Sequence, residues 1–122
     1  MTSIAIIGAS KDRKKFGNKA VRAYKSKGYE VFPINPNESK IEGLKAYPSI
    51  LQTPKPPDLA SLYLPPQTGI KILEEVAQAG VKVVYINPGA ESPELIAKAK
   101  QLGLEPRIAC SILAVGISPD NL

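Results

Sequence analysis

The chain has 122 residues, 43% hydrophobic and 22% charged, and its 16 Lys and Arg against 11 Asp and Glu leave a net charge of +5. That is enough for one domain with a core and too little for two ordinary ones. It contains no histidine and one cysteine, Cys110. These counts exclude an internal disulfide, a cysteine–histidine zinc site and the Ser-His-Asp and Cys-His catalytic arrangements. No apolar run approaches the roughly 18 residues of a membrane span. The short run over residues 4–9 precedes its basic residues and so does not read as a secretory signal. A reducing, cytoplasmic setting is the expectation.

In chain order, Ile4-Ala5-Ile6-Ile7 reads as a buried strand ending in the sharp turn Gly8-Ala9-Ser10. A basic loop with Lys11, Arg13, Lys14 and Lys15 leads through Phe16-Gly17 to a helix over Asn18 to Lys27. Ala20, Val21 and Tyr24 form its inner face, and Gly28 stops it. Eight of the cations lie between Lys11 and Lys27, opposed there only by Asp12. A helix start with free N–H groups behind such a loop favours an anion, and a phosphate is the natural occupant.

Tyr29 to Pro36 reads as a second strand, with Pro33 pointing to an edge or a bulge. Residues 38–57 are irregular: a turn near Gly43, a short helix near Tyr47 to Leu51, and an extended stretch at Pro54, Pro56 and Pro57. A third strand runs from Asp58, read as solvated, to Leu64. Pro65-Pro66 and a helix from Thr68 to Ala79 follow, with Ile70, Leu73, Val76 and Ala77 inward. Val81 to Ile86 is a fourth strand, ending in Asn87-Pro88-Gly89. Ser92-Pro93-Glu94 opens a helix that runs to Leu102. Glu105 to Cys110 gives a fifth strand. The apolar piece Ile112 to Val115 packs either on this sheet or against a second copy.

This βα rhythm specifies an α/β fold, a parallel sheet of about five strands with helices on both faces. Ligands of such sheets bind outside the carboxyl ends of the strands. Every strand here ends in residues suited to lining that crevice: Gly8-Ala9-Ser10, Asn35-Pro36, Pro65-Pro66, Asn87-Pro88-Gly89 and Cys110-Ser111. Tyr63 or Tyr85 either stacks on a base there or packs inside. The G-x-G-x-x-G pattern of NAD sites is not met, since Ser10 takes the second glycine position and Asn35 replaces the acid expected after the second strand.

The glycine turn with its basic loop and Gly17, Gly28-Tyr29-Glu30-Val31 leading into Pro33-Ile34-Asn35-Pro36, Tyr47-Pro48-Ser49-Ile50 and Leu64-Pro65-Pro66 resemble the small CoA-binding domain proteins, over about residues 3–112. These are single-domain relatives of the domain that opens the alpha subunit of succinyl-CoA synthetase. The resemblance implies a Rossmann-like fold and coenzyme A as the ligand, with no catalytic domain attached. It implies that Gly8, Ala9, Ser10 and Gly17 take phosphate and that Asn35 and Pro36 sit by the sugar and base. Leu64, Pro65 and Pro66 would line one wall, and Asn87 and Gly89 the far side. Lys11, Lys14 and Lys15, with Arg13, would meet the pyrophosphate and 3′-phosphate. The family's Asp-Arg-Cys is Ile108-Ala109-Cys110 here, which bears on the rim beside the pantetheine arm. Cys110 either pairs with the CoA thiol or fills space.

The expected function is therefore binding of coenzyme A or an acyl-CoA without catalysis, with a homodimer or a partner enzyme as the candidate assembly. The alternatives are an NAD(P)-binding oxidoreductase and a detached acyl-CoA ligase subunit. Nucleic acid fits poorly, because aromatic content is only 6% and no reading motif is present.

Overall fold

A computed structural model describes all 122 residues. The organising strand is β1 (Ser3–Ile7), buried along its whole length, as a near-continuous apolar run should be at the centre of a parallel sheet. It pairs with β2 (Glu30–Ile34) on one side and β5 (Leu59–Leu62) on the other, and β6 (Val83–Ile86) and β7 (Glu105–Ile108) extend the sheet. All four pairings are parallel, in the order β2-β1-β5-β6-β7. The chain therefore reverses direction across the sheet between β1 and β5, where α/β sheets open a binding crevice.

The two faces carry separate cores. Helices α1 (Phe16–Ser26) and α4 (Ser111–Ala114) cover Ile4, Ile6 and Val31, with Tyr24 and Ile112 sealed beneath. Helices α2 (Pro66–Gln78) and α3 (Pro93–Gln101) cover Ala5, Ile7, Phe32, Leu62 and Ile86. Alternate residues of β1 thus feed opposite cores, as the twofold period of a strand requires.

Both sheet edges carry a proline turned outward. The Ile34 carbonyl accepts from Gly8 N on the β1 side, while the Pro33 carbonyl accepts from Tyr47 N on the outer side. In a strand the N–H and C=O of one residue point the same way, so the donor that Pro33 lacks lies outside the sheet. At the other edge Glu105 N donates to the Lys82 carbonyl just ahead of β6 and Ala109 N to the Ile86 carbonyl at its end, which turns Pro106 outward too. The edge reading of Pro33 therefore stands, and both prolines discourage pairing with further strands. Tyr47 also forms a single parallel bridge to Ile34. It stands where the Rossmann order places its outer strand.

The irregular stretch is more ordered than its sequence suggests. Lys40–Ile41 (β3) and Leu44–Lys45 (β4) form a small antiparallel hairpin. Its turn places Glu42 at φ 50 and Gly43 at φ 79, the left-handed pair that a tight hairpin needs. Lys25 Nζ donates to the Glu42 carbonyl at 2.9 Å and pins that turn to α1. A 3-10 turn, Ile50–Gln52, follows, capped by Ser49. Elsewhere the element boundaries shift by a few residues. Helix α1 begins at Phe16, ahead of Asn18, α2 takes Pro66 as its first residue, and Ser92 caps α3 through Leu95 N at 3.1 Å.

One open alternative is settled and one expectation changes. The tail packs on its own sheet, because Ile112 is fully buried between α1 and the strands. Asp58 is exposed yet partnered: its Oδ2 accepts from Ser3 N at 2.8 Å and Ser3 Oγ at 3.1 Å. These two hydrogen bonds hold its carboxyl below the usual carboxylate range.

Ile112→Ala should lower unfolding stability by about 2–5 kcal/mol in a denaturant titration. A folded-state carboxyl held low stabilises above its unfolded value and loses that contribution as pH falls through the folded one. Asp58→Asn should therefore melt below wild type at pH 7, with the two melting temperatures converging in acid below about pH 4.

Candidate functional site

A cleft of about 810 Å³ opens at the carboxyl ends of β1, β2, β5 and β6. Its centre is built by two glycines. Gly8 turns at φ +92, and a Cβ there would stand 2.5 Å from the Tyr63 carbonyl oxygen. A Cβ on Gly17 would overlap the Gly8 carbonyl oxygen itself. The first turn of α1 therefore rests directly on the β1 turn, which in turn rests on the end of β5. Gly17 does the work of the close-packing glycine in dinucleotide folds, although it lies far along the sequence. The residues between bulge outward as the basic loop.

That loop is held by side chains. Ser10 Oγ accepts from Asp12 N at 3.0 Å, and Asp12 Oδ1 accepts from Lys14 N at 3.0 Å. Asn35 Nδ2 donates to the Ala9 carbonyl at 2.8 Å, and Asn18 Nδ2 to the Ser10 carbonyl at 2.9 Å. The carbonyls are thus tied back. The N–H groups of Ala9, Ser10, Phe16 and Gly17 have no hydrogen-bond partner within the protein, and Lys15 at the start of α1 supplies no side-chain cap. Free donors at an uncapped helix start form an anion-favouring concavity.

The structure gathers most of the expected residues and separates four. Gly8, Ala9, Ser10, Lys15 and Gly17 line the cleft at the loop, Asn35 and Pro36 at the end of β2, Leu64 and Pro65 after β5, and Asn87 and Gly89 after β6. Lys11 instead reaches Glu38 at 3.4 Å, outside the cleft. Lys14 lines a separate shallow depression with Arg13, Lys19 and Arg22. Pro66 opens α2 and is not part of the lining. Lys15 is the one loop cation at the cleft, since the turn from Asp12 to Lys15 sends its neighbours outward.

Two asparagines owe their position to structure. Asn35 Oδ1 accepts from Asn37 N at 2.7 Å, so with its bond to Ala9 both ends of the amide are engaged. Asn87 is only 1% exposed. Its Nδ2 donates to Ser61 Oγ at 2.8 Å and the Leu62 carbonyl at 2.9 Å, and its Oδ1 accepts from Ser111 N at 2.8 Å. Ser111 Oγ meets Ser61 Oγ at 2.7 Å and Tyr63 Oη at 2.8 Å, and its carbonyl accepts from Tyr24 Oη at 2.7 Å. This buried network bolts the tail to the ends of β5 and β6 and floors the cleft. Burial pushes the Tyr63 hydroxyl up to about 12, against the opposing pull of Ser111 and Ser61.

Tyr63 lines the cleft, whereas Tyr85 lies under the Arg107 guanidinium at 5.8 Å from its ring centre. Cys110 is half-buried and also lines the cleft. Thr68, Ile72 and Glu75 face the cleft from α2, opposite Pro48 and Ser49. Sequence reasoning missed them, but one signal was present: Ile72 falls off the inward stripe of Ile70, Leu73, Val76 and Ala77, on a second apolar face. No group of three or more acidic or cysteine side chains is arranged to hold a metal ion, and no helix is long and apolar enough to cross a membrane.

Comparison with known proteins gives a consistent answer. The sequence matches the CoA binding domain family over residues 2–116. It is 38% identical over 94 residues to acetate–CoA ligase [ADP-forming] II of Archaeoglobus fulgidus, covering 75% of this chain and 14% of that protein. It is 36% identical over 112 residues to the alpha subunit of acetate–CoA ligase [ADP-forming] II of Pyrococcus furiosus, covering 83% and 24%. The chain thus spans less than a quarter of the length of these two relatives. Among solved structures, a conserved hypothetical protein from Pyrococcus furiosus superposes with a TM-score of 0.86 at 38% identity, covering 93% of this chain and 99% of that one. An acetyl-coenzyme A synthetase from Ca. Korarchaeum cryptofilum, in complex with phosphate and ADP, superposes at 0.77 with 31% identity, covering 86% and 25%. A Rossmann-like sheet, a glycine-built cleft at its switch point and a sequence match over nearly the whole chain agree: this chain belongs to the CoA-binding domain family.

Proposed function

We propose that the protein binds coenzyme A or an acyl-CoA in the cleft, and that the ligand's diphosphate lies against the glycine loop and the start of α1. The observation that carries this reading is the set of unpaired N–H groups at Ala9, Ser10, Phe16 and Gly17, beside Lys15. An anion there meets backbone donors, a helix dipole and one cation, each placed before it arrives. Pro36, Leu64 and Pro65 offer apolar wall to the nucleoside. Gly89 and Cys110 border the opposite end, where a pantetheine arm would leave. Asn35 and Asn87 act by shaping the cleft, since their polar atoms are already engaged.

The protein has no chemistry of its own in this reading, and it holds the cofactor. A second reading is favoured by the relatives, several of which are ADP-forming CoA ligases. In it the chain is the CoA-holding part of such an enzyme and works beside a partner that carries the catalytic residues.

Titration calorimetry and thermal shift with CoA, dephospho-CoA, NAD and ATP test the proposal. CoA should stabilise the protein, and NAD should leave its melting temperature unchanged; the reverse pattern ends the CoA reading. A charge-assisted hydrogen bond contributes about 1.5–3 kcal/mol, so Lys15→Ala should weaken CoA binding roughly tenfold or more. Lys11→Ala and Lys14→Ala, which lie outside the cleft, should change affinity by about twofold or less.

A further inference from the structure

Past the glycine loop the cleft continues as a groove between α2 and the segment leading into the 3-10 turn. Its walls are apolar, formed by Ile34, Pro48, Leu64 and Ile72. At the far end stands one carboxylate, Glu75, about 10 Å along α2 from Thr68. Four glutamates of this protein are half-buried: Glu30, Glu38, Glu42 and Glu75. The first three each lie within ion-pair distance of a Lys or Arg. Glu75 has no such cation. Ser49 Oγ donates to its Oε1 at 2.5 Å, and its Oε2 has no partner within the protein. The same Ser49 hydroxyl accepts from Leu51 N at 3.1 Å, so the carboxylate is fixed to the backbone of the opposite wall.

An ionised carboxylate accepts hydrogen bonds and donates none. Set against apolar walls and without a cation, it is suited to a ligand edge that carries an N–H donor. Resting on the CoA reading above, we infer that Glu75 is the base-reading residue of the cleft: its free oxygen accepts from the exocyclic amino group of an adenine seated between Pro48 and Ile72. A flat ring fills the apolar slot between the walls, and the free carboxylate oxygen at the slot's end faces the amino group, the one hydrogen-bond donor on that edge of the ring. A purine without the amino group forfeits the bond and leaves the carboxylate oxygen against a C–H edge, a loss a binding site discriminates strongly.

The test is a cycle over ligand and residue, read by calorimetry on the full chain. The ligands are adenosine 3′,5′-bisphosphate and its counterpart lacking the 6-amino group. The proteins are wild type, Glu75→Ala and Glu75→Gln, each checked by thermal melting. Wild type should prefer the amino-bearing ligand by about tenfold or more. Glu75→Ala should reduce that preference to within about twofold, and Glu75→Gln, whose amide oxygen still accepts, should keep part of it. Equal weakening of both ligands by Glu75→Ala would assign the residue a structural role and overturn the inference. If wild type binds CoA with no preference for the amino group, the Glu75 assignment falls while the CoA reading stands. If wild type binds neither ligand nor CoA, both fall.

Discussion

The contact on which this structure depends is the one between Gly17 and the Gly8 carbonyl. There is no room for a Cβ at either residue, because Gly8 is itself pressed against the Tyr63 carbonyl. Three segments distant in sequence, the end of β1, the start of α1 and the end of β5, therefore meet through backbone alone. That closeness fixes the mouth of α1 over the switch point of the sheet. Any side chain at Gly17 would lift the helix and take its free N–H groups away from the cleft.

Around that contact the protein divides its polar groups into two classes. One is spent on holding shape: Asn18 and Asn35 tie back the loop carbonyls, and Asn87, Ser61, Ser111 and Tyr63 close a buried network beneath the cleft. No buried side-chain polar atom is left without a partner, as a stable interior requires. The other class is left open, and it sits in the cleft: the backbone donors of the glycine loop and the free oxygen of Glu75. A binding site differs from the interior in this one respect, that its unmet hydrogen bonds are concentrated where a ligand can reach them.

The tail shows how a peripheral segment becomes part of the site. Ile112 anchors α4 in the core beneath α1, and Ser111, one residue earlier, meets Asn87, Ser61, Tyr63 and Tyr24. Cys110 is thereby held at the cleft's border with little freedom. The two outward prolines of the sheet act in the opposite sense, limiting what else can join the fold along its edges.

The sequence by itself determined the alternation of strands and helices, the glycine turn, the cap of α3 and the apolar inward faces, because each rests on local periodicity and backbone preference. It also carried the family, through motifs whose spacing survives in the linear chain. Only the tertiary structure decided which loop cations face the cleft. Lys11, Lys14 and Lys15 are neighbours of like composition, and a turn closed by Asp12 sends them to different sides. It likewise decided that Asn87 is a structural strut and that Glu75 stands at the end of a groove. Those roles depend on partners from 24 to 26 residues away, and side-chain pairing at that distance is written in no local pattern of the chain.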